Sequence, residues 1–317
     1  MIHKANYKAL LLQASKNMQR RLLYIINPIS GRRNKQTLEE LIQTETKKAG
    51  FYFEIFPSVS SGDYSFLDDL IKTKKITHIV VAGGDGTVNQ AINSLKKHHL
   101  PFAIIPCGSG NGLAFSAGIP KNSAYALNIA FTGKSEWTDA FTINDQFACM
   151  LCGLGFDAQV AHDFALDKKR GLITYVKKII SNFFVAKPYP FVLKINDKAI
   201  KLGAFFISIA NSNQFGNNFT IAPKASLTDG LLDVVIVTEQ TKLNLVLQTL
   251  MQVSGFNQLQ KGENIDKNTS VVYFQTNNIE ITNAALAPLH IDGEPVESLK
   301  KIEIKVKPKS FQLIYPQ

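Results

Sequence analysis

The sequence predicts an α/β fold in two parts, a doubly wound domain built on a parallel sheet followed by a β-sandwich-like second domain. Three observations predict it. With 317 residues the chain has room for two domains of about 150 residues each. From residue 21 to about residue 131, short apolar runs alternate with helical periods, the pattern of βαβ units. Beyond Trp137 helical periods become rare and short strand-like runs dominate. The boundary is therefore placed to give domains 1–138 and 139–317, with the last strand free to return to the first domain.

In the first domain residues 22–26 read as a strand. Thr37 and Glu40 stand three apart and read as a capping box for a helix whose apolar face is Leu38, Leu41 and Ile42, and which Gly50 ends. A second strand is read at 51–56, a helix near 64–73, a third strand at 76–82, a helix at 87–97 and a strand at 102–105. In the second domain strands are expected at 139–142, 146–151, 191–195, 205–210, 232–237, 271–274, 279–281, 289–291, 302–306 and 311–314. Helices are expected to interrupt them at 171–184 and 242–253.

Composition narrows the function classes. Hydrophobic residues at 45% and charged residues at 19% exclude disordered, collagen-like and coiled-coil chains. The balance of 35 basic against 25 acidic residues gives +10, which favours an anionic partner: nucleic acid, an acidic lipid surface or a phosphorylated small molecule. The lysines are spread over many segments without a recognition motif, so nucleic acid is not expected. Three cysteines cannot frame a chain this long, and a reducing, cytoplasmic setting is the simpler expectation. Cys149 and Cys152 form a C-x-x-C within an apolar run read as a buried strand. Structural thiols are favoured there over redox or zinc chemistry, because no second Cys or His pair completes a site. No stretch approaches the ~18 apolar residues of a membrane span, and no cleavable leader is expected.

The strongest local signal is Gly83-Gly84-Asp85-Gly86-Thr87, which follows an apolar strand and opens a helix. Glycines let a backbone approach an anion and aim its N–H groups at it, and the helix start adds positive potential. Asp85 would repel a bare phosphate, so it makes sense with a divalent cation between the two; the alternative is a glycine-rich turn in which Asp85 is an ordinary cap. Asn27-Pro28-Ile29-Ser30-Gly31 and Gly108-Ser109-Gly110-Asn111-Gly112 follow two other strands. In a parallel sheet all three loops share the carboxyl edge, where ligands of doubly wound folds bind. Neither the Walker A pattern nor the Rossmann glycine pattern is present.

These three motifs in order resemble the nucleotide-binding motifs of the diacylglycerol kinase and sphingosine kinase superfamily of lipid kinases. The resemblance continues through Gly153-Leu154-Gly155-Phe156-Asp157-Ala158, Arg170-Gly171-Leu172 with Tyr175, Ala222-Pro223 with Ala225, Asp229-Gly230 with Leu232-Asp233, and Asp292-Gly293-Glu294. It implies an ATP-binding α/β domain like that of phosphofructokinases and NAD kinases, then a β-sandwich, with the active site in the cleft between them. It also implies roles. Asn27, Pro28, Ser30 and Gly31, with Gly84, Asp85, Gly86, Thr87, Asn89 and Ser109, would cradle the ATP phosphates, and Ser58 is a weaker match to a nucleotide-contacting hydroxyl. Asp85 and Asp139 would organise catalytic magnesium (Mg2+), Glu294 matches the general base, and Ser226, Asp229 and the main chain of Leu231 match a structural magnesium site. Gly112 and Gln90 stand where diacylglycerol kinase relatives often carry acids, which leans the loop towards the sphingosine and ceramide kinase side. Asp292-Gly293, read locally, is a hairpin-turn dipeptide that would set Glu294 at a loop tip.

Partners follow from the same reading. Lys168-Lys169-Arg170, Lys177-Lys178 and Lys187 flank an apolar, aromatic stretch, as expected of a segment lying on an anionic membrane from which a lipid substrate is drawn; a core-packed helix with solvated lysines is the alternative. Lys300, Lys301, Lys305, Lys307 and Lys309 read as the wet face of an edge strand. A homodimer is compatible with the sequence. Two other functions stand beside lipid phosphorylation: an NAD kinase-like kinase of a soluble substrate, and a nucleotide-binding protein with weak turnover.

Overall fold

The computed structural model describes residues 20–30, 35–156, 158–159, 186–214, 220–238, 259–260, 266 and 269–317. The chain forms two compact units, one running to Trp137 and taking back Phe311–Gln317, the other comprising Thr138–Ser310.

The first unit is built on a parallel sheet. Strands β1 (Arg21–Ile26), β2 (Tyr52–Pro57), β3 (His78–Gly83) and β4 (Pro101–Pro106) run in the order β2-β1-β3-β4. Gln312 and Leu313 of the final strand pair in parallel with Pro101 and Phe102 and extend the sheet. Residues 22–26, 79–82 and 102–105 are buried throughout, as near-continuous apolar strands covered on both faces must be. The helices are α1 (Lys35–Lys48), α2 (Asp68–Thr73), α3 (Asp85–Leu95), α4 (Gly112–Ser116) and α5 (Ser123–Thr132). Order 2-1-3-4 places the topological switch point between β1 and β3, where open α/β sheets bind ligands.

Several local expectations are corrected. Helix α1 is already formed at Lys35, so Thr37 lies inside its first turn; an N-cap has non-helical backbone, and no capping box with Glu40 forms. Gly50 does end the helix, in left-handed backbone at φ 73°, and the N–H of Phe51 reaches back to the Thr46 carbonyl at 3.2 Å. Helix α3 begins at Asp85 rather than Thr87, because extended Gly84 is its N-cap. Helix α5, absent from the expectation, is started by Asn122, whose side chain accepts from the N–H groups of Ala124 and Tyr125.

The second unit is antiparallel. Its strands are β5 (Lys134–Ile143), β6 (Gln146–Ala148), β7 (Leu151–Gly155), β8 (Tyr189–Ile195), β9 (Lys198–Ala210), β10 (Leu232–Thr238), β11 (Val271–Thr276), β12 (Asn278–Thr282), β13 (Leu289–Ile291), β14 (Glu294–Val296) and β15 (Lys301–Tyr315). The ends of β5 and β15 belong to the first unit. Long β9 organises the rest: residues 198–204 pair with β8, and residues 206–210 pair with both β7 and β10. Phe141, Leu154, Phe191, Ile207, Val234 and Phe274 share one buried apolar core, the sandwich-like interior expected.

Three strand readings change. The runs expected at 302–306 and 311–314 are one continuous strand, β15. Residues 146–151 are not one strand, because Cys149 and Met150 form a bend between β6 and β7; both C-x-x-C residues are buried. The lysine-rich segment is not an edge: β15 pairs with β12 and with β5, and Lys301, Lys305, Lys307 and Lys309 are the wet face of an interior strand. The readings at 171–184 and 242–253, and the Lys168–Lys178 cluster, lie outside the described residues; Lys187 is exposed.

Candidate active site

Four loops leave the carboxyl edge of the parallel sheet. At the end of β1, the Asn27 N–H donates to the Ala82 carbonyl at 2.9 Å, and its side chain works in two directions. Asn27 Oδ1 accepts the N–H of Ile29 at 2.9 Å, shaping the turn, while Nδ2 donates to Thr87 Oγ1 at 2.7 Å. The first loop is thereby tied to the first turn of α3. Ser30 Oγ donates to the Asn27 carbonyl at 3.3 Å, and Gly31 lies outside the described residues. Ser58 follows β2 on the same edge and donates its N–H to the Ile26 carbonyl at 2.8 Å.

The two glycine loops touch backbone to backbone. A Cβ built on Gly108 would stand 2.6 Å from Gly84 Cα, and one on Gly84 would stand 3.1 Å from Gly108 Cα. The third loop is closed by buried Asn111, in left-handed backbone at φ 59°. Its Oδ1 accepts the Gly108 N–H at 2.8 Å and its Nδ2 donates to the Gly108 carbonyl at 2.9 Å. Ser109 is left exposed at the tip. Gly108→Ala is therefore expected to destabilise the protein by about 1–3 kcal/mol, as overpacking does, measured by denaturant unfolding.

Asp85 occupies the seam between these loops. The backbone N–H groups of Gly112, Asn111 and Leu113 at the start of α4 aim at its carboxylate and favour the charged form, but burial outweighs them and holds its pKa above the ordinary value. The carboxylate thus stands at the start of α4 while belonging to the first turn of α3. On the same helix, Asn89 has a buried Oδ1 with no hydrogen-bond partner. Gln90 is exposed and packs against Gly62.

The remaining predicted residues lie in the second unit. Asp139 is buried, and each carboxylate oxygen accepts one backbone N–H: Gly230 on Oδ2 and Lys309 on Oδ1, both at 2.7 Å. It clamps β5, the 227–231 loop and β15 together. Asp229 is exposed and accepts the Leu231 N–H at 3.0 Å. Partial burial and the Asp139 charge push its carboxyl up. Ser226 Oγ lies 3.4 Å from Thr228 Oγ1. Among the described residues no three His, Cys, Asp or Glu side chains group as metal ligands. Glu294 is exposed, the first residue of β14, immediately after a two-residue turn in which Asp292 and Gly293 have φ of 49° and 83°. It therefore opens an edge strand rather than sitting within the loop tip.

Two buried carboxylates escaped the sequence reading. Asp233 accepts from Tyr273 Oη at 2.5 Å and Gln275 Nε2 at 3.0 Å, and the Tyr273 hydroxyl accepts the Lys224 N–H at 3.0 Å. Asp292 accepts three backbone N–H groups from the β6–β7 bend. The sequence marked both within motifs but carried no sign of these partners, which come from strands distant in the chain.

Backbone-lined loops at the switch point of a parallel sheet, with an acidic side chain at their seam, define a class of α/β protein that suits a phosphate-bearing ligand. Residues 21–143 match the family model for the diacylglycerol kinase catalytic domain, and residues 151–315 match that for the YegS C-terminal NAD kinase beta sandwich-like domain. The chain belongs to this family of lipid kinases. It is 27% identical to a protein of Shewanella frigidimarina named "Probable lipid kinase YegS-like", over 85% of this chain and 86% of that one. It is 24% identical to a diacylglycerol kinase of Bacillus subtilis, over 87% of this chain and 90% of that one. A solved structure of a diacylglycerol kinase from Bacillus anthracis shares the fold, with a TM-score of 0.72 at 19% identity over 95% of this chain and 98% of that one.

Proposed function

We propose that the protein is an ATP- and magnesium-dependent lipid kinase that moves the γ-phosphoryl group of ATP to a lipid hydroxyl. The observation that carries the reading is the contact of Gly84 with Gly108, which joins two loops at the sheet edge with no side chain between them. Bare backbone N–H groups near helix starts suit a polyphosphate. Asn27, Pro28, Ser30, Gly31, Ser58, Gly84, Gly86, Thr87, Asn89 and Ser109 then serve the nucleotide.

Magnesium is ordinarily held by one or two carboxylates together with substrate phosphates. Asp85, the acidic side chain at the loop seam, suits that arrangement; Asp139, with both oxygens already accepting backbone N–H groups, would support it. The ion would supply neutralisation of the charge on the transferring phosphoryl group. Ser226, Asp229 and Leu231 are assigned the structural magnesium site. Glu294 takes the proton of the lipid hydroxyl as the new oxygen–phosphorus bond forms and the bond to the ADP oxygen breaks.

The experiment is a radiolabelled ATP assay over diacylglycerol, monoacylglycerol, phosphatidylglycerol, sphingoid base and ceramide, with NAD as a control. Label in one lipid class supports the reading. Label in NAD alone would place the protein with the soluble-substrate kinases, and ATP binding without any product would make it a binding protein.

The reading includes a peripheral contact with anionic membrane through the lysines between Lys168 and Lys187. No helix among the described residues is long and apolar enough to cross a membrane. Neutralising Lys168, Lys169, Lys177 and Lys178 together is expected to abolish flotation with anionic liposomes at physiological salt, since each basic residue near such a surface is worth about 1 kcal/mol. Undiminished flotation of that variant would refute the contact.

A further inference from the structure

We propose that Asp292 is the positioning residue of the proposed general base: its buried carboxylate fixes the β13–β14 turn and so sets the place of Glu294. The inference rests on the assignment of Glu294 above and adds how that side chain is held.

Strand β14 needs such a fixture. It has three residues, and its described pairing is with β13 alone. A short edge strand of this kind frays readily, yet a base must be held to within a fraction of an ångström of its proton. The turn supplies the constraint. Asp292 is 7% exposed, and its carboxylate faces the bend at 149–151. Oδ1 accepts the N–H groups of Met150 and Leu151, both at 3.0 Å, and Oδ2 accepts that of Cys149 at 3.2 Å.

Three successive N–H groups on one carboxylate form an anion nest made by the protein for its own side chain, and bonds to a charged acceptor are the stronger kind. The main chain adds two ties. The Asp292 N–H donates to the Leu151 carbonyl at 2.8 Å, and the Gly293 N–H donates to His290 Nδ1 at 3.3 Å. With both residues of the turn anchored, Glu294 leaves it in one direction.

The arrangement also explains the bend that divides the expected 146–151 strand. In a regular strand successive N–H groups point to opposite sides and cannot converge on one carboxylate. The bend at Cys149 and Met150 turns them to the same side, where Asp292 stands.

Asp292→Asn keeps the shape and removes the charge. One oxygen can still accept from Met150 and Leu151, but the new amide presents N–H to the Cys149 N–H, donor against donor. A misplacement of about 1 Å can cost ~100-fold in rate. The test is a double-mutant cycle of Asp292→Asn with Glu294→Ala, scored on lipid phosphorylation at saturating ATP, with the KM for ATP and thermal unfolding recorded alongside.

The expected result is a ~10- to 100-fold fall in kcat for the single Asp292→Asn variant, an unchanged KM for ATP, and little further loss when Asp292→Asn is added to Glu294→Ala. A folded Asp292→Asn enzyme with wild-type kcat would overturn the inference and leave Glu294 standing. Additive losses would overturn it too, because Asp292 would then act by another route. If Glu294→Ala keeps full activity, the base assignment itself fails and this inference with it.

Should Asp292→Asn not fold, Gly293→Ala takes its place in the cycle. A Cβ there meets nothing within 4 Å, but φ of 83° strains any residue with a side chain, so the turn shifts while the carboxylate remains. The same non-additive loss is expected, and unchanged kcat in that variant counts against the proposal.

Discussion

Replacing Glu294 by alanine is expected to lower lipid phosphorylation by at least ~100-fold while leaving ATP affinity unchanged. A lipid hydroxyl is a weak nucleophile, and its proton must leave as the oxygen–phosphorus bond forms. A carboxylate in reach accepts it, a contribution of roughly 10²- to 10⁴-fold. Stability is expected to stay within about 0.5 kcal/mol of wild type, because Glu294 is exposed at the start of an edge strand and no described side chain depends on it. Steady-state kinetics with ATP and lipid varied separately check the result. Loss confined to kcat is the signature, since the base acts as the proton moves and not when the nucleotide binds. Glu294→Gln separates proton acceptance from shape and is expected to be as inactive as the alanine variant.

The second large effect is at Asp85. Asp85→Asn is expected to cut kcat/KM by ~10²- to 10³-fold, the scale of losing one preorganised group from a charge-stabilising site, because the proposed ion would lose its carboxylate at the loop seam. Stability should move the other way. Burial raises the Asp85 carboxyl above its ordinary pKa, so the group resists ionisation in the folded protein more than in the unfolded chain. The stabilisation from a raised carboxyl is complete at pH below the unfolded value, ~3.9, and is lost as pH rises through the folded value. At neutral pH the asparagine variant carries no such liability. Its amide oxygen can still accept N–H groups at the start of α4, as caps of this kind do. Tm at pH 7 is expected to equal or exceed that of wild type, with the gap closing in the variant's disfavour below about pH 4, where Asp85 is protonated in both states. An inactive enzyme of undiminished stability is what a site that sacrifices stability for chemistry should give. A clear fall in Tm would make Asp85 a structural cap first.

Much of this fold was legible because its signals are local. Apolar runs read as strands at 22–26, 76–82 and 102–105 are strands in the fold, β3 beginning at His78, and Gly50, read as a stop, ends its helix. The glycine loops were legible for the same reason, since a chain that must bring Gly84 Cα against Gly108 has no other residue to use. What escaped depends on partners remote in sequence. Thr37 and Glu40 have the spacing of a capping box, yet the helix starts earlier, and spacing alone carries no information on where a helix begins. Lysines alternating with apolar residues mark a strand with one wet face, but whether that strand is an edge is decided by β12 and β5, not by β15 itself. The bend at 149–150 is the clearest case. Its cause is a carboxylate 142 and 143 residues further on, and no local pattern in Phe147-Ala148-Cys149-Met150 announces it.

The same limit applied at the site. Asp292 was read as half of a turn dipeptide, which it is, while the side chain that ties the turn down went unseen. Asp139, assigned to magnesium by resemblance, holds Gly230 and Lys309 through both oxygens. An acidic residue in a motif can serve architecture and chemistry together, and only its hydrogen-bond partners reveal the first role. For Asp85 the partners are the N–H groups at the start of α4, which explains why an acid stands among loops built for anions: the carboxylate has donors of its own.

The measurement that tests the central claim most directly is the transfer of label from γ-labelled ATP into solvent-extractable lipid, by the wild type and by Glu294→Ala side by side in mixed micelles with magnesium. The account predicts a labelled lipid product from the wild type and at least ~100-fold less from the variant. Equal labelling by the two proteins, or label that stays in the aqueous phase with every lipid offered, would contradict it.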